Sequence, residues 1–357
     1  MKTKFKRSKQ KKVVSIGSVK IGGNYPVAVQ SMTRTKTRDT RRTIAQIKRL
    51  AAAGCEIARC AVVNADDAGA LRQIKKAVGI PVVADVHFDY RLALAALDAG
   101  VDKVRINPGN IGETWKLEEV IKKARDLGVA IRIGINAGSL PVKVLARHRH
   151  PTPRAMIDTL NASLEIFARN KFDRIVISAK AASVLDTVHV YQIIDKRCIF
   201  PLHIGITEAG LPFEGGIRSG VGLGILLDQG IGDTLRVSLT ANPIYEVAAA
   251  YEILMSLDLR QIRPLIISCP TCGRCDVDLV KIAEAVSRSL ADCRARIKVA
   301  VMGCVVNGPG EAREADFGIA CGKGIGSVFR KGKEIKRVQE RNLIRSLLEV
   351  IHENTHY

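Results

Sequence analysis

The chain has 357 residues, of which 47% are hydrophobic and 4% aromatic, and its net charge is +21. This length fits a large barrel plus a smaller module, or two to three ordinary domains. So few aromatics argue against a single-strand nucleic-acid binder built on stacking platforms. No run of about 18 apolar residues occurs, so the sequence predicts no membrane-spanning helix.

The positive charge is densest at the start of the chain. Residues 1–12, MKTKFKRSKQKK, carry seven positive charges and no negative one, which is typical of a solvated basic tail. The next residues, VVSIGSVKIGGN, are too short and too polar for a signal-peptide core, so we expect a cytoplasmic protein. There, nine cysteines are expected to be reduced thiols or metal ligands and not disulfides.

From residue 26 the chain repeats a β-branched run, a polar turn and an amphipathic stretch. The eight predicted strands are 26–32, 56–63, 81–86, 101–107, 130–136, 173–180, 201–206 and 234–239. Eight such units in about 230 residues predict a TIM (β/α)8 barrel, which we place at residues 13–260. A doubly wound open sheet is the alternative, but the chain has no dinucleotide fingerprint to support it.

Polar residues stand at or just beyond the end of every predicted strand. They are Gln30, Ser31, Arg59, Asp85, His87, Arg105, Asn107, Arg132, Asn136, Ser178, Lys180, Thr207, Glu208, Arg236 and Ser238. In a barrel the carboxyl ends of the strands converge on one mouth. A mouth rich in arginine, with Asn and Ser between the cations, indicates a small, multiply phosphorylated anion.

The repeat ends near residues 258–263, and residues 264–357 predict a separate α+β module. Its expected elements are the strands LIIS, KVAVMG, DFGIA and GSVFR, a helix with Leu279, Ile282, Val286 and Leu290 on one stripe, and a basic terminal helix over about 334–352.

Three cysteines in SCPTCGRC, Cys269, Cys272 and Cys275, lie at two-residue spacing, and Cys304 follows at a distance. A zinc ribbon needs a second close pair, but Cys304 and Cys321 are separated by sixteen residues. Three clustered cysteines plus a distant one favour an iron–sulfur centre. Spacing alone leaves zinc and unligated thiols open.

The segments SCPTC and GCVVNGPGEAREADFGIA closely resemble the bacterial two-domain, flavodoxin-using 4-hydroxy-3-methylbut-2-enyl diphosphate synthases. The segments ADVHFDY, VRINPGNIG, RIGINAGSL, GITEAG and GIGDTLRVSL resemble the same family, in the same order. The resemblance covers the chain apart from the basic tail. It implies a barrel for the substrate and a 4Fe–4S domain at residues 264–357.

The resemblance also implies the cluster ligands: Cys269, Cys272, Cys304 and the carboxylate of Glu311. A carboxylate is harder than a thiolate and more easily displaced, so the iron that it holds can open to substrate oxygen. This sequence departs from the family pattern at three positions. Cys275 and Cys321 are additional cysteines, and Arg218 replaces the usual lysine. We expect Cys275 to be an unligated thiol.

By resemblance the substrate is 2-C-methyl-D-erythritol 2,4-cyclodiphosphate, which is reductively opened and dehydroxylated in isoprenoid precursor biosynthesis. Our expected diphosphate-binding residues are Arg59, Arg105, Arg132, Lys180 and Arg218, helped by Asn107, Asn136 and Ser238. Glu208 is the expected proton donor, with Asp85 and His87 as assisting or orienting groups.

The resemblance further implies a homodimer and an acidic one-electron carrier, flavodoxin or ferredoxin, without nucleic acid or membrane as a partner. Two other hypotheses remain at this point. One is a zinc-stabilised nucleic-acid-binding protein, which the charge favours, and the other is a non-redox barrel enzyme with a structural metal.

Overall fold

A computed structural model describes residues 10–181, 183–275, 277–304, 310 and 312–355 of the chain. The chain divides into two compact units, Met1–Arg260 and Gln261–Tyr357.

The first unit begins with a short antiparallel hairpin, β1 (Val14–Ile16) and β2 (Val19–Ile21). Gly17 lies in its turn with φ +54°, a conformation that favours glycine. Val14, Ile16 and Ile21 are buried against barrel residues near the starts of the strands, namely Ala28, Ile57, Val83, Ala130 and Val176. The hairpin therefore covers the amino-terminal end of the barrel. No pattern in the sequence predicted this hairpin.

Eight parallel strands follow, and the predicted barrel is confirmed. They are β3 (Ala28–Met32), β4 (Ile57–Val62), β5 (Val82–Val86), β6 (Lys103–Ile106), β7 (Ala130–Asn136), β8 (Ile175–Lys180), β9 (His203–Ile204) and β10 (Thr234–Leu235). The hydrogen-bonded order is β8-β7-β6-β5-β4-β3-β10-β9. A parallel bridge between Ile177 and Leu202 joins the two ends of this order and closes the ring.

Helices connect the barrel strands. They are α1 (Thr40–Ala52), α2 (Ala65–Ala77), α3 (Tyr90–Asp98), α4 (Thr114–Asp126), α5 (Val142–His148), α6 (Pro153–Arg169), α7 (Val184–Arg197), α8 (Pro212–Asp228) and α9 (Pro243–Ser256). Asp39, Asn64 and Ser183 cap α1, α2 and α7 by accepting backbone N–H groups. Among the described residues, no helix has the length and apolar character that crossing a membrane requires.

Two residues of the predicted basic tail belong to the barrel unit, which corrects the expectation for that segment. Lys11 is buried, and its Nζ lies 2.8 Å from Asp195 Oδ1 and donates to the Cys198 carbonyl at 2.6 Å. The Lys12 backbone N–H donates to the Ile199 carbonyl at 2.7 Å. These contacts attach residues 11–12 to the barrel, and residues 1–9 lie outside the described part of the chain.

The second unit is a mixed five-stranded sheet in the order β11-β12-β13-β14-β15. Its strands are β11 (Leu265–Ser268), β12 (Lys298–Met302), β13 (Phe317–Cys321), β14 (Ile325–Arg330) and β15 (Lys333–Gln339). The first three are parallel, and the last two pair antiparallel. Two helices, α10 (Leu279–Ser289) and α11 (Leu343–Thr355), bury their apolar stripes against the sheet.

The expected terminal helix over 334–352 is wrong in its first part. Residues 333–339 form β15, and the helix begins only at Leu343. Lys331 and Gly332 both have positive φ, which is the geometry of the two-residue turn that matches the twist of a hairpin. This turn folds KEIKRVQ back onto β14, so pairing with a neighbour overrides the local helical pattern.

Candidate active site and cluster site

Cationic side chains from neighbouring strands surround one carboxylate inside the barrel. Asp85 lies near the end of β5 and is 7% exposed. Its Oδ1 accepts from Arg105 Nη1 at 3.2 Å, and its Oδ2 lies 3.8 Å from Arg59 Nε and 3.7 Å from His87 Nε2. Four of the predicted mouth residues are thus brought together.

Asp85 is ionised in this setting. Burial by itself would raise the pKa of Asp85, but the charges of Arg59, Arg105 and Arg132 and a hydrogen bond from His87 outweigh it and hold the pKa well below its usual range. A carboxylate with such a low pKa orients cations and does not supply protons at neutral pH.

The other buried cations of the barrel have too little negative charge around them to balance their own charge. Loss of hydration, then the charges of Arg59 and Arg105, lowers the pKa of Arg132. Loss of hydration and the charge of Arg236 lower the pKa of Lys180. Within the described chain, Arg132 Nε and Nη1 and Arg105 Nε are buried without a hydrogen-bond partner. Buried cationic donors of this kind are stabilised by a bound anion.

Two glycines leave room for these cations. A Cβ on Gly134 would lie 2.3 Å from Arg105 Nε, and one on Gly205 would lie 2.8 Å from Lys180 Nζ. Real Cβ atoms do not come so close to other heavy atoms. Gly134 in β7 and Gly205 just after β9 therefore determine where the two cations lie.

Arg236, after β10, is held by the buried carboxylate of Glu246 from α9. Arg236 Nη2 lies 3.3 Å from Glu246 Oε1, and Ser31 Oγ donates to Glu246 Oε2 at 2.9 Å. The backbone N–H of Leu239 also donates to Glu246 Oε1. Loss of hydration, opposed by Glu246, lowers the pKa of Arg236 to about 10, so this guanidinium stays charged at neutral pH.

The predicted amide and hydroxyl groups follow the same strands. Asn107 lies just after β6 and is buried, and its Nδ2 donates to Ser139 Oγ at 2.7 Å. Asn136 is the last residue of β7, and its carbonyl accepts from the same Ser139 hydroxyl at 3.3 Å. Ser238 lies half-buried beyond β10. The three lie at strand ends, as expected for a mouth.

Glu208 lies on the loop after β9, exposed, with φ +52°. This left-handed conformation is uncommon for a residue other than glycine and often marks a functional loop. Arg218, on α8, is exposed, and its Nη1 donates to the Ala209 carbonyl at 2.8 Å. Arg218 thus holds the backbone beside Glu208 rather than joining the buried cations around Asp85.

In the second unit, predicted cluster cysteines meet at one edge of the sheet. Cys269 follows β11 directly, and Cys304 lies two residues after β12, the parallel neighbour of β11. The backbone N–H of Gly303 donates to Cys269 Sγ at 3.2 Å, and a backbone donor of this kind stabilises a thiolate. Cys272 is exposed in the following loop. Glu311 lies outside the described residues.

The two additional cysteines lie at the same edge. Cys275 Sγ donates to the Val277 carbonyl at 3.3 Å and lies 2.6 Å from where a Cβ on Gly303 would be. Cys321 ends β13 and is fully buried. Burial, followed by Glu340, Cys275 and Cys269, raises the pKa of Cys321 to about 12, so its thiol is protonated in the metal-free protein.

Profiles of two known domains match nearly the whole chain. That of the GcpE TIM-barrel domain matches residues 11–251, and that of the GcpE protein C-terminal domain matches residues 265–353. The chain belongs to the GcpE family.

Relatives of this GcpE-family chain agree with the resemblance drawn from its motifs. The 4-hydroxy-3-methylbut-2-en-1-yl diphosphate synthase (flavodoxin) of Geobacter sulfurreducens is 53% identical over 94% of this chain and 95% of its own length. The protein of the same name from Thermodesulfovibrio yellowstonii is 51% identical, covering 97% and 99%. These relatives support neither the zinc-stabilised nucleic-acid binder nor the non-redox barrel enzyme.

Solved structures agree with the barrel. The N-acetylneuraminic acid synthetase of Leptospira borgpetersenii aligns with a TM-score of 0.50 over 79% of this GcpE-family chain and 98% of its own, at 13% identity. At that identity the similarity concerns the fold alone.

Among the described residues of this GcpE-family chain, no three His, Cys, Asp or Glu side chains lie close enough together to hold a single metal ion. An iron–sulfur cluster has a different requirement, because each iron takes its own protein ligand and the ligands stand further apart. The donors at the sheet edge are the soft sulfur atoms of cysteines, which suit iron. The residues present therefore fit a cluster.

Two residues of the barrel site in this GcpE-family chain were missed from the sequence. Lys103 is fully buried, and its Nζ has no hydrogen-bond partner among the described residues. It lies two residues before Arg105 in the same strand, so the period of two could have placed both side chains inside the barrel. Glu246 had a weaker signal, as an acid within an otherwise apolar helical segment.

Proposed function

We propose that this chain is an oxidoreductase, a 4-hydroxy-3-methylbut-2-enyl diphosphate synthase of the non-mevalonate route to isoprenoids. It converts 2-C-methyl-D-erythritol 2,4-cyclodiphosphate to 4-hydroxy-3-methylbut-2-enyl diphosphate and water. The observation that carries the proposal is the set of buried, unpartnered arginine donors within the described barrel, which a compact diphosphate would satisfy. Family membership and the cysteines at one edge of the second unit's sheet support the redox part of the proposal.

The reaction has a simple balance. The C2–O bond to the ring phosphate breaks, the C3 hydroxyl leaves as water, and a C2–C3 double bond forms. Two electrons and one proton are consumed when the product diphosphate carries one more negative charge than the cyclic substrate. The site must therefore bind growing negative charge and protonate a leaving hydroxyl.

Binding of the diphosphate falls to the cations at the mouth: Arg59, Arg105, Arg132, Lys180 and Arg218, helped by Asn107, Asn136 and Ser238. Asp85 holds Arg59 and Arg105 in place, so that their donors are oriented before the substrate arrives. As the ring opens, charge grows on the released phosphate oxygen. Removing one cation that contacts this oxygen costs about 3 kcal/mol of transition-state stabilisation.

Protonation of the leaving hydroxyl falls to Glu208. It is a mouth carboxyl held in a left-handed loop conformation, whereas the other mouth carboxyl, Asp85, is ionised and surrounded by cations. Asp85 and His87 are orienting groups in this assignment, because His87 lies within 3.7 Å of Asp85 and contacts Arg105.

The cofactor is a 4Fe–4S cluster held by Cys269, Cys272, Cys304 and Glu311. Support comes from the shared sheet edge of Cys269 and Cys304 and from the Gly303 N–H at Cys269 Sγ. When bound, the cluster supplies electrons one at a time and a Lewis-acidic iron. Cys275, which already donates to the Val277 carbonyl, and the buried Cys321 stay outside the ligand set.

The partners are a small acidic electron carrier, flavodoxin or ferredoxin, and a second copy of the chain. The relatives carry flavodoxin in their names. A homodimer is supported by an exposed apolar stripe on α8, formed by Phe213, Ile217 and Val221, one turn apart. Neither nucleic acid nor a membrane is a partner in this proposal. Free cysteines throughout the described chain suit a reducing cytoplasm.

Anaerobic turnover tests the function. The protein, reconstituted with iron and sulfide, is mixed with the cyclodiphosphate and a strong chemical one-electron reductant, and the products are identified by mass spectrometry. We expect the hydroxylated allylic diphosphate. If protein that demonstrably holds a reduced 4Fe–4S cluster forms no product, the substrate assignment is refuted.

A further inference from the structure

An exposed isoleucine stands between two depressions on the second unit. Ile325, at the start of β14, is 58% exposed. It lines a groove of about 680 Å³ together with Ile282, Glu340, Arg341, Leu343 and Ile344. It also lines a smaller depression, of about 390 Å³, with Lys323, Glu334 and Arg337. We call this area the Ile325 surface. An apolar centre with a charged rim is the usual anatomy of a protein–protein contact.

The chain segment that supplies nearly all of this surface is the most positively charged part of the second unit. Residues 321–345 contain eight basic and two acidic side chains, whereas the rest of 264–357 contains seven basic and nine acidic ones. Lys323 and Arg341 are exposed. Neither of them has an ion-pair partner within the described residues, so their charges are available to a partner. The surface therefore suits an acidic protein.

The Ile325 surface is also close to the cysteine edge. Gly326 pairs with Cys321 on the adjacent strand, and Ala320 pairs with Met302 on the next. Cys304 follows two residues after Met302. Neighbouring strands lie about 4.8 Å apart, so β14 is about 10 Å from the strand that leads to Cys304. β13 lies between these two strands and is hydrogen-bonded to both of them.

We propose that the Ile325 surface is where the acidic electron carrier docks. Its basic rim steers the carrier, its apolar centre forms the contact, and its position brings the carrier's redox group beside the sheet edge that holds the cluster ligands. This inference rests on the proposed function, because only an enzyme that receives single electrons needs such a surface. Salt should weaken the encounter, since rim charges act mainly on the association rate.

The test is a charge-reversal pair with a matched control. Lys323→Glu combined with Arg341→Glu removes the two available rim cations. Arg41→Glu combined with Lys48→Glu makes the same change in net charge on exposed residues of α1, in the other unit. Binding of oxidised flavodoxin to each holoprotein is measured by calorimetry at low salt, and turnover is measured with reduced flavodoxin and with a chemical reductant.

We expect the rim variant to bind flavodoxin at least about tenfold more weakly and the control less than about twofold more weakly. Turnover of the rim variant with the chemical reductant should match wild type. Equal weakening in both variants would overturn the proposal, because a general charge effect would then explain the binding. The proposal would also be overturned if transfer RNA bound this surface as tightly as flavodoxin does, because the surface would then be a general polyanion site.

The two proposals fail in different ways. If wild-type protein forms no allylic diphosphate even with the chemical reductant, the function is wrong. If it does, and the rim variant responds to reduced flavodoxin as wild type does, only the docking surface is wrong. Ile325→Ala is a second test of the docking surface, because it should weaken flavodoxin binding without changing the net charge.

Discussion

At the scale of single residues, the barrel mouth depends on one ionised carboxylate among arginines. Asp85 is the shared partner of Arg59, Arg105 and His87. Without its negative charge, the buried guanidinium groups of Arg59 and Arg105 would repel each other. We infer that Asp85 allows the apo barrel to keep its cations in place until the substrate supplies further negative charge.

The Asp85→Asn variant should expose this role in its pH dependence. The pKa of Asp85 is lowered in the folded state, so its stabilisation is present above its unfolded pKa of about 4 and is lost as pH falls below that value. We expect the variant to melt several degrees below wild type at pH 7, and this difference to shrink as pH falls below about 4. Thermal melts between pH 7 and 3 measure it, and a constant difference at all pH values would contradict the prediction.

Kinetic tests should show that Glu208 acts in the chemical step and not in substrate binding. Glu208→Gln keeps the shape of the loop residue but removes the transferable proton, so we expect kcat to fall by about 10²- to 10⁴-fold. Substrate affinity should change little, because Glu208 lies outside the buried cation group. Steady-state kinetics and calorimetry with the cyclodiphosphate provide both quantities. Glu214→Gln, an exposed acid on α8, is the control and should leave both unchanged.

The cysteine edge makes a further residue-scale prediction. Cys275→Ser should retain iron, sulfide and the visible absorbance of the cluster, because Cys275 is not a ligand in our assignment. Cys304→Ser should lose most of the cluster. Iron analysis and spectroscopy of the anaerobic proteins decide between them. The opposite pattern would move Cys275 into the ligand set.

At the scale of elements, glycines in and beside the barrel strands determine how deep the cations lie. In Gly134→Ala the new Cβ would lie 2.3 Å from Arg105 Nε, so the arginine or the strand must move. We expect a loss of about 1–3 kcal/mol of unfolding free energy and a raised KM. Gly138→Ala, where a Cβ meets open space, is the matched control. Denaturant melts and kinetics of both variants test this, and equal effects would refute it.

The sequence predicted the barrel because its strands are β-branched runs repeated eight times with polar residues at their ends. It did not predict the hairpin β1–β2, since strands of three residues contain too little pattern to recognise. It mistook 334–339 for helix because Ile335 and Val338 are three residues apart, and only the turn at Lys331 and Gly332 and pairing with β14 decide otherwise.

The site was predictable in outline and less so in its pairings. The barrel pattern is enough to bring Arg59, Arg105 and Arg132 together, because they lie in β4, β6 and β7 of one barrel. Arg59 and Arg132 are each the third residue of their strand, so they lie inside the barrel and not at the strand ends that the sequence predicted. No local pattern indicates that Glu246, from a helix, reaches Arg236 and Ser31, because such contacts depend on how α9 packs.

At the scale of the whole molecule, the apolar stripe on α8 predicts association. Phe213, Ile217 and Val221 are 76%, 52% and 51% exposed, and they lie on one face because they are four residues apart. In water such a stripe is stabilised when a second surface covers it. Because the barrel ring is otherwise covered by amphipathic helices, we expect this face to form the contact between two copies.

Ile217→Asp combined with Val221→Asp should therefore convert the proposed dimer to a monomer. Leu127→Asp, at the end of α4 and 52% exposed, is the control and should remain dimeric. Light scattering coupled to size-exclusion chromatography measures the mass of each. If activity requires two copies, the monomeric variant should lose turnover with a chemical reductant while retaining its cluster and its thermal stability. A monomer with full turnover would show that each copy works alone, and the α8 stripe would then need another partner.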